Sequence, residues 1–213
     1  MDLFEPPAEK AKHQIGSAAW LLRGFAFEYE RLLMAALREI FITAPPREMV
    51  TPGGRPMSVL TSCCGRLGWV SDKKGYRYET RDPVSGQPWP AMPEVFAALA
   101  RDAAGTAGFD EFEPDACLIN QYRAGAKMGL HQDKDERDFS QPIVSVSLGL
   151  PATFLFGGLQ RSDKALRMEL RHGDVVVWGG VDRLCFHGVL PLTAGHHPLT
   201  GDCRINLTLR KAG

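Results

Sequence analysis

The sequence of 213 residues has no surplus of either charge: 25 Lys and Arg balance 25 Asp and Glu. That excludes a protein that works by bulk attraction to a polyanion. A local basic groove stays open, because a partner feels patches and not averages. The densest cations are Arg161, Lys164, Arg167 and Arg171; a second set, Lys127, Lys134 and Arg137, is laced with acids. Cysteine is scarce. The five, at 63, 64, 117, 185 and 203, are odd in number and contain no CxxC, which excludes a disulfide framework and a zinc cluster. Cys117, Cys185 and Cys203 lie among apolar residues and read as small buried hydrophobes. No apolar run approaches the ~20 residues of a membrane-spanning helix. The opening MDLFEPPAEK lacks the basic head and apolar run of a secretory signal. There is no internal repeat and no low-complexity segment. A reducing, soluble, cytoplasmic setting is expected.

What is present changes texture along the chain. Residues 1–18 are polar, with Pro6 and Pro7, and read as a loosely held tail. Over 28–42, Leu32, Leu33, Ala36, Leu37, Ile40 and Phe41 recur at helical spacing, which predicts an amphipathic helix lying on something larger. Residues 45–92 are rich in Pro, Gly and aromatics and read as short hairpins and loops. A second helix is predicted over 93–104, with Pro93 at its first position and Val95, Phe96, Leu99 and Ala103 on its apolar side. From 114 to 210 the period becomes two. IVSVSLGL sets Val144, Val146, Leu148 and Leu150 on one face and Ser145, Ser147 and Gly149 on the other, and VVVW at 175–178 reads as a fully buried strand. Short strands separated by regular turn signals predict a sandwich or jelly roll.

Two strands carry polar faces that a structural core does not need. In CRINLTLR, Ile205, Leu207 and Leu209 form one face and Arg204, Asn206, Thr208 and Arg210 the other. That second face is either wet or turned into a barrel as an anion pocket, where the planar fork of arginine grips carboxylates. Asn120 and Tyr122 share a side of CLINQYR, and Ser145 is a small polar residue on another inner face. Burying this inventory without a ligand would cost several kcal/mol in unpaired groups.

The segment AKMGLHQDKDE places His131 and Asp133 two apart, which on a strand puts both on one side. A third ligand must come from elsewhere. His13 lies in the tail, His172 in a turn, and His196 and His197 in a Gly/Pro-flanked loop; His187 alone sits inside an apolar strand. Two histidines and one carboxylate on a jelly roll match the facial triad that holds Fe(II) and leaves positions open for a cosubstrate and dioxygen.

With LHQDKD, FHGV and RINLTLR, supported by NQYRAGA and VSLGLPATFLFGG, the chain resembles the AlkB-type Fe(II)/2-oxoglutarate-dependent demethylases of alkylated nucleic acid. The resemblance covers most of the chain and is densest over 114–210. It implies a mainly β fold with flanking helices: a double-stranded β-helix (jelly roll) with an N-terminal nucleotide-recognition lid. His131, Asp133 and His187 would hold Fe(II). Arg204 would pair the distal carboxylate of 2-oxoglutarate and Arg210 would position its chelating end. Asn120, Tyr122, Ser145 and Asn206 would add polar contacts. The implied reaction is oxidative demethylation of 1-methyladenine and 3-methylcytosine in DNA, and also in RNA, releasing formaldehyde as 2-oxoglutarate and O2 become succinate and CO2. The expected partner is alkylated single- or double-stranded DNA, or RNA; no membrane is involved and the chain acts as a monomer.

Trp69, Tyr76 and Tyr78 form either a satellite core or a stacking platform for an extruded base. The resemblance matches Trp69 and Tyr76 to lid positions, with His131 as the opposite face. It gives Asp135 an exocyclic amine to accept from and Arg161 a base or phosphate; Lys127 and Lys134 are candidate phosphate contacts. No role falls on Arg55 or Thr61. The expected organisation is a single dioxygenase domain, 1–213: tail and supporting helix at 1–44, lid at 45–92, and catalytic core with its supporting helix at 93–213. Two rivals remain: a 2-oxoglutarate oxygenase acting on a protein or small molecule, and a non-catalytic jelly roll with a structural metal.

Overall fold

The computed structural model describes residues 11–213. Eight strands form the major sheet. In chain order they are β1 (Lys12–Gln14), β2 (Ala19–Leu22), β3 (Arg47–Val50), β4 (Pro56–Gly65), β7 (Ala116–Tyr122), β9 (Ile143–Gly149), β12 (Val175–Trp178) and β14 (Arg204–Arg210). Their spatial order is β1-β2-β12-β9-β14-β7-β4-β3. A minor sheet of β8 (Met128–His131), β10 (Ala152–Phe156), β11 (Leu166–Leu170) and β13 (His187–Val189) has the order β11-β10-β13-β8. A separate hairpin pairs β5 (Gly68–Asp72) with β6 (Gly75–Glu79). The result is the expected jelly roll, with every pairing between named strands antiparallel.

Strict alternation on the central strands produces two cores. Val144, Val146, Leu148, Val175, Val177, Ile205, Leu207 and Leu209 pack outward against α1 (Glu30–Thr43) and α2 (Glu94–Ala107). The opposite face meets the minor sheet, where Phe154, Phe156, Val176, Trp178 and Val189 pack together. Apolar residues at i and i+2 thus bury one face of each strand, and the intervening positions are left for chemistry.

Several expectations change. The first ten residues of the supposed tail, 1–18, lie outside the described residues; the rest carries β1, which pairs with β2 at the edge of the major sheet. Helix α1 follows a short 3-10 turn at Phe25–Tyr29 and buries Leu33, Met34, Leu37 and Ile40, while Leu32 faces solvent. Pro93 is the N-cap of α2 and not its first helical residue; the helix runs on to Ala107 and stops at Gly108, whose φ of 92° a side chain rarely tolerates. Within 45–92, β4 is a ten-residue strand of the major sheet, buried from Thr61 to Cys64 against β7, and not a short hairpin. Leu150 leaves the face of Val144, because the chain turns at Gly149 (φ 86°), and packs in the second core. All five cysteines are free and buried, and burial raises the Cys63 thiol to about 12.

Candidate metal centre and its cavity

Strands β8 and β13 meet with His131 and His187 as direct register partners, their ring centroids 4.4 Å apart. Asp133 follows β8 by two residues. Its Oδ1 lies 3.5 Å from His131 Nε2 and its Oδ2 lies 3.7 Å from His187 Nε2. The three ligand atoms fall within 4.8 Å of one another, the one such group among the described residues. The His131 and His187 Nδ1 atoms sit 2.9 and 3.0 Å from the carbonyls of Gly129 and Cys185. A carbonyl only accepts, so each Nδ1 carries the proton and each Nε2 lone pair is left for a metal.

The electrostatics favour that state at His187. Burial, with His131 alongside, pushes His187 down to about 4, so it is neutral. Burial opposes ionisation of Asp133, yet the Arg210 charge and the two imidazoles hold it well below the usual carboxylate range. Burial also works against a charge on His131, but its contact with Asp133 prevails and raises it.

These residues line one cavity of about 440 Å³ between the sheets. Its walls include Asn120, Tyr122, Ser145, Arg204, Asn206, Thr208 and Arg210, the polar faces of β7, β9 and β14. Register explains the grouping: β14 pairs Asn206 with Asn120 on one side and Thr208 with Ser145 on the other. Asn206 Nδ2 donates to Ser145 Oγ and to the Val146 carbonyl, both at 2.9 Å, and Asn206 Oδ1 accepts from Thr208 Oγ1 at 3.0 Å, so the amide orientation is set.

Arg204 is fully buried, and Nη2 donates to Ser147 Oγ at 3.0 Å. Among the described residues, four buried side-chain nitrogens have no hydrogen-bond partner: Trp178 Nε1, Arg204 Nε and Nη1, and Arg210 Nε, the last 3.4 Å from Glu136 Oε1. All four belong to residues lining this cavity. A buried guanidinium with two free N–H groups costs several kcal/mol unless an anion meets it. The wall is therefore built to receive a carboxylate.

Residues 19–210 match the 2OG-Fe(II) oxygenase superfamily. The chain is 54% identical over 213 residues to the alpha-ketoglutarate-dependent dioxygenase AlkB of Escherichia coli (strain K12), covering all of this chain and 98% of that protein. It is 33% identical over 135 residues to the human nucleic acid dioxygenase ALKBH1, covering 63% of this chain and 33% of that one. The solved structure of OsALKBH1 superposes with a TM-score of 0.81 at 30% identity, over 94% of this chain and all of the other.

The chain belongs to the 2OG-Fe(II) oxygenase superfamily.

It is an Fe(II)- and 2-oxoglutarate-dependent dioxygenase, with O2 as the further cosubstrate. The residues present fit both groups. Two neutral imidazoles and one carboxylate are the superfamily's iron-ligand chemistry, and the unpaired Arg204 faces suit the tail of a keto diacid. Within the superfamily's fold, this sequence also places an aromatic pair at the cavity mouth. Trp69 and Tyr76 stack with centroids 5.5 Å apart and planes 14° apart, and Trp69 Nε1 donates to Asp135 Oδ2 at 2.8 Å. Arg161 reaches the same rim, with Nη1 on the Leu130 carbonyl at 2.8 Å.

The other expected residues divide. Lys134 lines the cavity, whereas Lys127 does not. Thr61 is buried and donates to Asn120 Oδ1 at 3.3 Å; Arg55 is exposed and lines no part of the cavity. Lys164 and Arg167 line a separate shallow depression, and Arg171 pairs Glu169 at 2.7 Å. Tyr78 is not part of a platform: its hydroxyl donates to Glu136 Oε1 at 2.7 Å and accepts from Arg210 Nη1 at 3.1 Å. Sequence reasoning missed Glu136, Arg183, Ser147 and Trp178. Ser147 was legible as a polar alternate on β9; Glu136 was disguised by the surrounding run of acids.

Proposed function

We propose that this dioxygenase removes N-methyl groups from alkylated bases of nucleic acid, with 1-methyladenine and 3-methylcytosine in DNA as principal substrates and RNA as a further one. The observation that carries the reading is the Trp69–Tyr76 stack and the Asp135 carboxylate at the mouth of the cavity that holds His131, Asp133 and His187. An extruded base needs flat surfaces, and a cationic methylated ring is drawn to an aromatic face and to a nearby carboxylate. Extrusion costs least from a single strand, so single-stranded substrate binds most readily. The human relative carries nucleic acid in its name.

In this reading His131, Asp133 and His187 hold the metal. Arg204 would pair the distal carboxylate of 2-oxoglutarate, and Arg210 would steady the keto-acid end. Asn120, Tyr122, Ser145 and Asn206 fix the chain between them. Bound iron supplies the oxidising chemistry by which 2-oxoglutarate and O2 become succinate and CO2 while the methyl group leaves as formaldehyde. The protein's part is to orient the base and exclude water. Trp69 and His131 flank the ring, Asp135 accepts from its exocyclic amine, and Arg161 and Lys134 meet the adjoining backbone or base. Within 45–92, the β5–β6 hairpin acts as the lid on a single catalytic domain, while β3 and β4 belong to the sheet of its core. The protein works as a monomer in the cytoplasm; among the described residues no helix is long and apolar enough to cross a membrane.

Formaldehyde release from a methylated single-stranded oligonucleotide, with and without 2-oxoglutarate, tests the reading. Wild type should release it only with 2-oxoglutarate, and His131→Ala should not release it. Succinate formation stimulated by a peptide and not by the oligonucleotide would overturn it. A purely structural metal usually has four protein ligands, and the three found here argue against that rival.

A further inference from the structure

Beside the metal ligands lies a closed ring of hydrogen bonds. Arg210 Nη2 donates to Asp133 Oδ2 at 2.5 Å and its Nη1 to the Tyr78 oxygen at 3.1 Å. Tyr78 donates to Glu136 Oε1 at 2.7 Å. Glu136 Oε2 accepts from Arg183 Nη2 at 3.1 Å, and Arg183 Nη1 closes the circuit on the Asp133 carbonyl at 2.8 Å. Arg183 Nε also holds the Gln141 carbonyl at 3.0 Å.

Two carboxylates and two guanidiniums balance here, and all four side chains are at most 8% exposed. The elements joined are separate in sequence. Arg183 stands in the turn that leads to His187, Glu136 and Asp133 on the segment after β8, Arg210 at the end of β14, and Tyr78 on the hairpin bearing Tyr76. Arg183 therefore fastens the segment of one ligand to the turn of another. Glu136 shares the charge of Arg210, which would otherwise lean wholly on Asp133 Oδ2, the oxygen facing His187.

We propose that Arg183, Glu136 and Tyr78 are positioning residues: their ring sets the Asp133 carboxylate for metal and transmits the placement of the β5–β6 hairpin to it. The inference rests on the metal centre read above and goes beyond it, since nothing in that reading uses Arg183, Glu136 or Tyr78. Tyr78 adds a definite asymmetry. Its ring belongs to the substrate-facing hairpin, yet its hydroxyl sits on the two groups that flank Asp133. Displacing the hairpin pulls on Arg210 and Glu136 together, so an ill-placed lid loosens the metal carboxylate.

The test uses Co(II) alone as probe, with no 2-oxoglutarate and no nucleic acid. Affinity is measured by titration, and the ligand field by visible absorption of the Co(II)-loaded protein. Tyr78→Phe removes one oxygen, and circular dichroism and thermal melting confirm its fold. Removing groups that orient metal ligands costs about ten- to a hundredfold in metal affinity. Tyr78→Phe should lie near the lower figure with a shifted Co(II) band, and Glu136→Gln should lose more. Arg183→Lys, which keeps the charge but not the fork, should fail to restore wild-type affinity. The double variant Tyr78→Phe with Glu136→Gln should lose less than the product of the single losses, because one circuit is broken twice.

A folded Tyr78→Phe with affinity and spectrum within twofold of wild type would overturn the link to the hairpin, whatever Glu136→Gln does. An unchanged Glu136→Gln would overturn the positioning role of the ring. If Glu136→Gln fails to fold, Arg183→Lys decides that point by the same twofold criterion. Wild type that binds no Co(II) would instead sink the metal centre, a distinguishable failure.

Discussion

At the scale of single residues, Arg204 separates stability from function. Its guanidinium is buried with Nε and Nη1 lacking a hydrogen-bond partner, a desolvation cost that a bound anion would offset. Replacing a buried charge by an apolar side chain of similar volume is often neutral or stabilising. Arg204→Met should therefore melt at or above the wild-type temperature without ligand, yet lose the stabilisation by 2-oxoglutarate that wild type should show. A charged hydrogen-bonded pair contributes about 1.5–3 kcal/mol, so the KM for 2-oxoglutarate should rise on the order of ten- to a hundredfold. A melting temperature well below wild type would contradict this. Asp135→Ala should shift base preference while leaving cosubstrate consumption without substrate intact; equal loss of both would remove Asp135 from recognition. The metal triad was legible because HxD on a strand is a local pattern and His187 was the one histidine in an apolar strand. Glu136 and Arg183 were not, because their partners are about fifty residues away and their own surroundings look solvated.

At the scale of elements, two pieces can be perturbed separately. The β5–β6 hairpin carries Trp69 and Tyr76 outside both main sheets. A base stacked on an aromatic ring gains about 1–3 kcal/mol. Trp69→Ala should thus raise the KM for methylated oligonucleotide by roughly tenfold or more while sparing the KM for 2-oxoglutarate. The pairing of β8 with β13 is the second piece. A Cβ on Gly188 would stand 2.8 Å from the Met128 carbonyl oxygen, a backbone atom with little room to yield. Gly188→Ala should push His187 away from His131 and weaken metal binding and thermal stability together; a variant with unchanged Co(II) affinity would show the strands to be looser than drawn. The strands of 114–210 were readable from period two. Strand β4 was not, because Pro, Gly and aromatic neighbours masked a segment whose burial comes from pairing with β7, a contact sixty residues distant. The edge strand β1 and its neighbour β2 escaped for the same reason: short segments gain their structure from a partner found only in the fold.

At the scale of the whole molecule, a neutral total charge limits how nucleic acid can be held. Among the residues lining the cavity, Arg161 and Lys134 are the cations placed to meet phosphate at its rim. For two or three phosphate contacts on a single strand, affinity should fall with salt at a logarithmic slope of about −1.4 to −2.1. A slope several-fold steeper would require a basic track that the rim does not provide. The balance also makes recognition depend on the shape of the mouth and on the aromatic pair more than on long-range attraction.

The buried thiols carry a last consequence. Reagents that methylate ring nitrogens are electrophiles, and they consume exposed thiolates faster than neutral, enclosed ones. All five cysteines are sealed within the fold, so the protein presents no exposed thiol to the agents that would create its substrates. Iodoacetamide should accordingly leave the native chain unlabelled and react with all five sulfurs once denaturant opens it. The fold thereby keeps its thiols out of reach of the electrophiles that methylate bases.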